Sequence, residues 1–382
     1  MYRSVLALLC LTALPSLALP AYGQDSGFQT KVPHAVIMDF ETGEVLFEKG
    51  ARAPMAPASM TKIMTADMVF EALKNGTVTA DTEFTVSEEA WRRGGVKSGS
   101  STMFLKVNSS VRVEDLLRGI IIQSGNDACI AIAEGLAGSE TAFADQMTAR
   151  ARELGLNSAT FRNATGWPHP DHNISAYDLG QLARHSIKTY PNYYSIYGEK
   201  SFTWNGIKQG NRNPLLGKFT GADGMKTGST EASGYGLVGS AIRGGDRRIV
   251  VINGLGSKSE RAEVSLRLMN AAFDQFKVYK LYDKGDNIGE VDVYMGKAAK
   301  VGVRIDEDVK AGIFRGDRSK ISSVMMSKPV SAPVAIGDHI ADMVISVPGR
   351  ADRKIALLAT ENVKAKSAFS KAWTVLINKI RG

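Results

Sequence analysis

The 382-residue chain is poor in the side chains that most often carry redox and metal chemistry, with two cysteines and five histidines. Cys10 lies in the leader described below, so Cys129 has no partner for an internal disulfide, whatever the compartment. It stands in the apolar run Cys129-Ile130-Ala131-Ile132-Ala133 and is expected to be a small core residue. In His169-Pro170-Asp171-His172 the prolines prevent a shared helical face and no third ligand cluster accompanies the histidines. A surface loop near a cleft is therefore expected there, not a metal centre. After the leader, no segment is apolar for long enough to span a bilayer. Nucleic-acid signatures are missing too: the formal net charge is +8, yet the 47 Lys and Arg are scattered. An acidic envelope or membrane surface suits such a basic chain better than a nucleic acid.

What is present begins with a leader. Arg3 gives a positive start, Val5 to Leu19 form a short apolar run, and Ala21-Tyr22-Gly23 offers small residues for cleavage before Gln24. Leu9 is too large for lipoprotein processing at Cys10. Residues 1–23 are thus expected to be a signal peptide. The remaining length predicts two domains, assigned as 24–283 and 284–362, with a distinct tail at 363–382.

In the first domain, Ala35–Asp39 and Glu44–Glu48 read as strands joined by a turn ending at Gly43. Pro54 and Pro57 keep the chain extended up to Ala58, and a helical pattern starts at Ser59. Further helices are expected at Val113–Ile122, Asp127–Ala137 and Glu140–Leu154, with Gly155 as a C-cap. The intervening break at Ser124-Gly125-Asn126 suits Gly and Asn, which tolerate positive φ. Two strands, Tyr235–Ile242 and Arg248–Gly254, precede a helix from about Glu260 to Phe276. The fold class is therefore α+β: an antiparallel sheet flanked by helices, with a helical insertion. The second domain reads as a small all-β module, from segments at Val291–Tyr294, Ala299–Ile305, Ala341–Val347 and Lys354–Leu358. Its turns are expected at Gly296, Gly312, Gly316 and Gly349-Arg350. In the tail, Phe369, Ala372, Trp373, Leu376, Ile377 and Ile380 recur at helical spacing with Lys or Arg alongside. That pattern predicts an amphipathic helix lying on a membrane surface, where each basic group near an anionic bilayer adds about 1 kcal/mol.

The chemistry is carried by Ser59-Met60-Thr61-Lys62, Ser124-Gly125-Asn126 and Lys226-Thr227-Gly228. A serine three residues before a lysine on a helix shares a face with it, which places hydroxyl and amine within hydrogen-bonding reach. Such a pair is a nucleophile and base without histidine, provided the lysine pKa falls from about 10.4 towards about 7–8. One S-x-x-K match carries little weight; S-x-x-K, S-x-N and K-T-G in order are specific to penicillin-recognising serine enzymes.

With these motifs the chain resembles the serine D-alanyl-D-alanine carboxypeptidases, the low-molecular-mass penicillin-binding proteins. The likeness covers the catalytic unit, the β-rich domain and the C-terminal helix. It implies a D-alanine-ended peptidoglycan stem pentapeptide as substrate, β-lactam antibiotics as covalent inhibitors, and no metal or organic cofactor. It also implies that Ser59 is acylated, that Lys62 is its base with Lys226 as the second cation depressing it, and that Ser124 relays a proton. Asn126 would hold Lys62 and the substrate amide, and the backbone N–H groups of Ser59 and Ser229 would form the oxyanion hole. Lys226, Thr227, Gly228, Ser229 and Arg261 would receive the substrate, with Lys226, Thr227 and Arg261 on its carboxylate. The middle motif carries Gly125 where class A β-lactamases carry Asp. Glu153-Leu154-Gly155-Leu156-Asn157 matches the deacylation motif of those lactamases in form, but reads better as a helix end.

Overall fold

The computed structural model describes residues 28–348, 350–370, 372 and 373. The expected signal peptide, the expected turn at Gly349 and most of the expected tail helix fall outside the described residues. Residues 368–370, 372 and 373 are helical, with Phe369 84% and Trp373 58% exposed.

A five-stranded antiparallel sheet forms the centre of the first domain. Strands β1 (His34–Asp39), β2 (Val45–Lys49), β3 (Ala222–Thr230), β4 (Gly234–Arg243) and β5 (Asp246–Leu255) lie in the order β2-β1-β5-β4-β3. The early hairpin joins the late strands through β1 and β5, with Val36 opposite Val251. Gly244 and Gly245, both at positive φ, make the tight turn that sets Arg243 opposite Asp246.

Strand β1 is apolar from Ala35 to Met38 because both sheet faces are covered there. Ala35 and Ile37 join a core with Leu268, Met269 and Ala272 of helix α7 (Lys258–Asp274), whereas Val36 and Met38 join the core of the helical insertion. That insertion contains α1 (Lys62–Lys74), α2 (Glu88–Gly94), α3 (Val113–Arg118), α4 (Asn126–Ala137), α5 (Glu140–Glu153) and α6 (Ala176–Thr189). Cys129 is fully buried within it, as expected.

Several local expectations need correction. A short 3-10 turn, Ala58–Thr61, precedes α1, so Ser59 sits one turn ahead of the α-helix proper. The helix expected to run to Ile122 turns π-helical at Gly119–Gln123, and the positive φ in the break belongs to Ser124 (61°), not to Gly125 or Asn126. Gly125 is small for another reason: a Cβ there would lie 3.0 Å from the Met103 backbone nitrogen. The last helix ends at Asp274, and Phe276–Tyr282, assigned by sequence to the first domain, forms strand β6 and pairs with β9 (Val309–Phe314).

The second domain adds β7 (Asn287–Tyr294), β8 (Lys300–Ile305), β10 (Ser322–Ser327), β11 (His339–Ser346) and β12 (Arg353–Ala359), in the order β10-β11-β12-β8-β7, with Val330–Ser331 outside β7. Gly312 lies within β9 and is not a turn; a Cβ there would sit 2.5 Å from Leu46 Cδ2 on β2. The glycine permits this close interdomain contact, which Arg353 reinforces by an ion pair to Glu44 at 2.6 Å.

Candidate active site

The Ala58–Thr61 turn is clamped between the free edge of β3 and the loop around Gly166. A Cβ on Gly228 would meet the Pro57 carbonyl oxygen at 2.7 Å, and one on Gly166 the Ala58 oxygen at 1.9 Å. Both glycines are therefore needed for backbone to approach backbone. Ala58 itself is held at φ +48°, an unfavourable region for a residue with a Cβ. The Asn253 amide donates to the Ala56 carbonyl at 3.1 Å and ties the approach to the turn to strand β5.

Lys62 is fully buried, and its Nζ has three neighbours: Ser59 Oγ at 3.0 Å, Asn126 Oδ1 at 2.7 Å and the Thr165 carbonyl at 2.6 Å. Asn126 is held in turn by its own amide, which donates to Ser100 Oγ at 2.9 Å. The buried Asp127 carboxylate accepts from Met103 and Leu105 N–H and from Thr102 Oγ1, fixing the strip of chain that carries Ser100 and Ser101. Asn163 shapes the opposite wall: its Oδ1 accepts from the backbone of Gly166 and Trp167 and so presents the Thr165 carbonyl to Lys62. Ser124 Oγ is buried and, among the described residues, has no hydrogen-bond partner.

Burial lowers the Lys62 pKa, and Arg212 adds repulsion in the same direction. Lys226, buried beside it, is lowered well below the ordinary lysine value, first by burial and then by Lys62. The repulsion between the two lysines is mutual, and Arg212 is a further cation bearing on both. The Cys129 thiol is pushed up to about 12 by burial and stays neutral.

Arg261 lies in the first turn of α7, is 7% exposed, and sits 5.7 Å from the centre of the Tyr235 ring. Tyr235 pairs with Ser229 across β3 and β4, which brings Arg261 beside the Lys226–Ser229 strand. Its buried Nε has no partner among the described residues, and burial lowers its pKa. Arg212, the residue sequence reasoning missed, donates to Ser101 Oγ at 2.6 Å and bears electrostatically on both Lys226 and Arg261. Four cationic side chains from four separate segments converge here, an arrangement suited to a carboxylate.

A groove of about 530 Å³ extends from the turn, lined by Ala58, Gly166, Trp167, Pro168, His169 and Thr230 among others. His172 also lines it but is 3% exposed, so this end of the expected surface loop is buried. No cluster of three metal-ligating side chains occurs among the described residues. Glu153 ends α5 ahead of Gly155 (φ +74°); its side chain is 66% exposed and pairs with Arg150 at 3.2 Å.

Comparison with known proteins places the chain in a family. The family profile described as D-alanyl-D-alanine carboxypeptidase matches residues 23–256, and that of the penicillin-binding protein 5 C-terminal domain matches residues 276–365. The chain is 36% identical to D-alanyl-D-alanine carboxypeptidase DacC of Escherichia coli K12, over 90% of this chain and 87% of the relative. Penicillin-binding protein 5 from Haemophilus influenzae superposes with a TM-score of 0.72 at 35% identity, over 89% of this chain and 99% of that one. DacD from Francisella tularensis gives 0.76 at 28% identity, over 91% and 97%.

Proposed function

The chain belongs to the D-alanyl-D-alanine carboxypeptidase family and is a serine-type hydrolase of that activity, and from that premise we propose how its side chains divide the work. Ser59 Oγ attacks the carbonyl carbon of the penultimate D-alanine while its proton passes to Lys62 Nζ. The observation that carries this assignment is the hydrogen-bond environment of Lys62. Two of its three partners, the Asn126 and Thr165 oxygens, only accept. The neutral amine spends its two N–H bonds on them and turns its lone pair to Ser59, the one neighbour of the three able to donate.

Ser124, unpartnered and buried, passes a proton to the nitrogen of the departing D-alanine. The N–H groups of Ser59 and Ser229 receive the oxyanion, an arrangement in which each donor is worth about 2.7–4 kcal/mol. Lys226, Thr227 and Arg261 hold the free carboxylate of the terminal D-alanine, which restricts cleavage to chain ends. Water then hydrolyses the acyl-enzyme, with Lys62 as base, and the shortened stem peptide leaves. The groove beside Trp167 takes the upstream part of that peptide. Penicillins acylate the same serine, and because Glu153 faces solvent with Arg150, the adduct is expected to persist.

Export by the leader and residence at the periplasmic face of the cytoplasmic membrane belong to the same proposal. No helix of the described residues is long and apolar enough to cross a membrane; the exposure of Phe369 and Trp373 supports contact through the tail. The decisive experiment is mass spectrometry of the protein incubated with a diacyl-D-Ala-D-Ala peptide and, separately, with benzylpenicillin. Release of D-alanine and a penicilloyl adduct on Ser59 are expected. An adduct elsewhere, or on Ser59→Ala protein, overturns the assignment.

A further inference from the structure

His172 lies 111 residues from Thr61 in sequence, yet the two buried side chains meet at 2.8 Å, Nε2 to Oγ1. Thr61 sits inside the nucleophile turn, directly before Lys62. The other imidazole nitrogen, Nδ1, lies 3.1 Å from the Arg162 backbone nitrogen, whose N–H can only donate. Nδ1 must therefore accept, the ring proton resides on Nε2, and Nε2–H donates to Thr61 Oγ1. The Phe161 ring, edge-on at 5.6 Å between centres, fixes the imidazole plane.

We propose that His172, held as its Nε2–H tautomer, is a positioning residue that locks the Ser59–Lys62 turn to the cleft wall through Thr61. The proposal rests on the carboxypeptidase reading. The wall it grips is the one that supplies the Thr165 carbonyl to Lys62, so one hydrogen bond sets the spacing between base, base-acceptor and nucleophile. The charged groups facing the ring all oppose its protonation: His169 and Arg162 on its own loop and Lys62 from α1. With burial they lower its pKa to about 4. Asp171 lies 3.9 Å from Arg162, with both side chains largely exposed. Protonation would set an Nδ1–H against the Arg162 N–H, two donors with no acceptor, and release the clamp.

The two hydrogen bonds separate by substitution in the full-length protein. In His172→Asn the amide oxygen takes the place of Nδ1 and keeps the Arg162 contact. In His172→Gln the amide nitrogen takes the place of Nε2 and keeps Thr61. Thr61→Val removes the hydroxyl at constant shape, and Thr61→Ser restores it. The rate constant for acylation by benzylpenicillin, measured from pH 4 to 9, and kcat and KM for a diacyl-D-Ala-D-Ala peptide are read beside the thermal midpoint. His172→Asn and Thr61→Val are expected to lower acylation and kcat about 10- to 100-fold, with KM changed little and the double variant no slower than either single one. His172→Gln and Thr61→Ser should stay close to wild type, and the further loss near pH 4, beyond that from protonation of Lys62, should be absent in His172→Gln. Losses that follow the thermal midpoint alone, whichever bond is kept, overturn the inference, as does full activity in Thr61→Val. Wild-type protein that takes up no penicillin overturns the carboxypeptidase reading instead, and this inference with it.

Discussion

The two domains share one polypeptide and little of their physical chemistry. Residues 24–275 carry 27 Lys and Arg against 27 Asp and Glu, whereas residues 276–382 carry 19 against 12. The first domain is electroneutral in composition, and its cleft is basic because Lys62, Lys226, Arg212 and Arg261 are brought together there. The second domain and tail are basic in bulk. Burial differs as well. The first domain hides Lys62, Asp67, Asp127, Lys226 and Arg261, while Asp317 is the buried charge of the second among the described residues. The second core is Val, Ile, Leu, Met and Ala. Desolvated charge costs stability; in the first domain it is held both at the site and in structural pairs such as Arg248 with Asp39.

That contrast can be broken most severely at the nucleophile. Ser59→Ala should lower peptide turnover by about 10⁴-fold or more and abolish the penicilloyl adduct, with an unchanged fold. Steady-state assay and intact-protein mass spectrometry check it.

Asp67 tests whether every buried charge in the first domain serves catalysis. Its oxygens lie 3.9 Å from Arg150 Nε and 3.8 Å from the His185 imidazole, whose own pKa burial lowers, and burial raises the Asp67 pKa to about 7. The folded state therefore binds this proton more tightly than the unfolded chain does, where the pKa is about 3.9. Its contribution is most favourable below about pH 4 and is lost as pH climbs to about 7. Asp67→Asn should consequently gain stability over wild type across that window, on the order of 4 kcal/mol at pH 8. Urea unfolding at pH 4 and pH 8 measures the difference; parallel curves would refute it.

Arg261→Ala should reduce kcat/KM for D-alanine-ended peptides by about 10- to 100-fold, the worth of a charge-assisted hydrogen bond. A peptide amidated at its C-terminus, lacking the carboxylate, should show a much smaller loss with the same variant. Equal losses on both would remove Arg261 from the carboxylate site.

The smallest catalytic effect is expected at the other end of the chain. Truncation after Asn362 should leave penicillin acylation within about twofold while abolishing sedimentation with vesicles rich in anionic lipid, since Lys364, Lys366, Lys371, Lys379 and Arg381 each add about 1 kcal/mol. Retained vesicle binding would place the membrane contact on the β domain itself.

Much of the site was legible before any coordinates. Ser59 and Lys62 are three apart, and local helical geometry alone brings them within reach. The sheet was legible for the same kind of reason, because apolar runs such as Ala35–Met38 must bury both faces. The neighbours of Lys62 were not. Thr165 contributes a backbone carbonyl, which leaves no signature in a side-chain pattern. Arg212 sits in Asn211-Arg212-Asn213, an unremarkable polar stretch, and His172 reads as one half of a loop motif. The positive φ fell on Ser124, not Gly125, because Gly125 was already required for close approach to Met103.

Sequence by itself determined the Ser59–Lys62 spacing, the three signature segments and an α+β fold followed by a β-rich C-terminal part. These follow from short-range spacing and composition. Only the tertiary structure decided that Arg212 joins the two lysines, which groups are desolvated, and how the loop around His172 meets the reactive turn. Electrostatics and burial depend on distances between segments a hundred residues apart, and folding alone sets those distances.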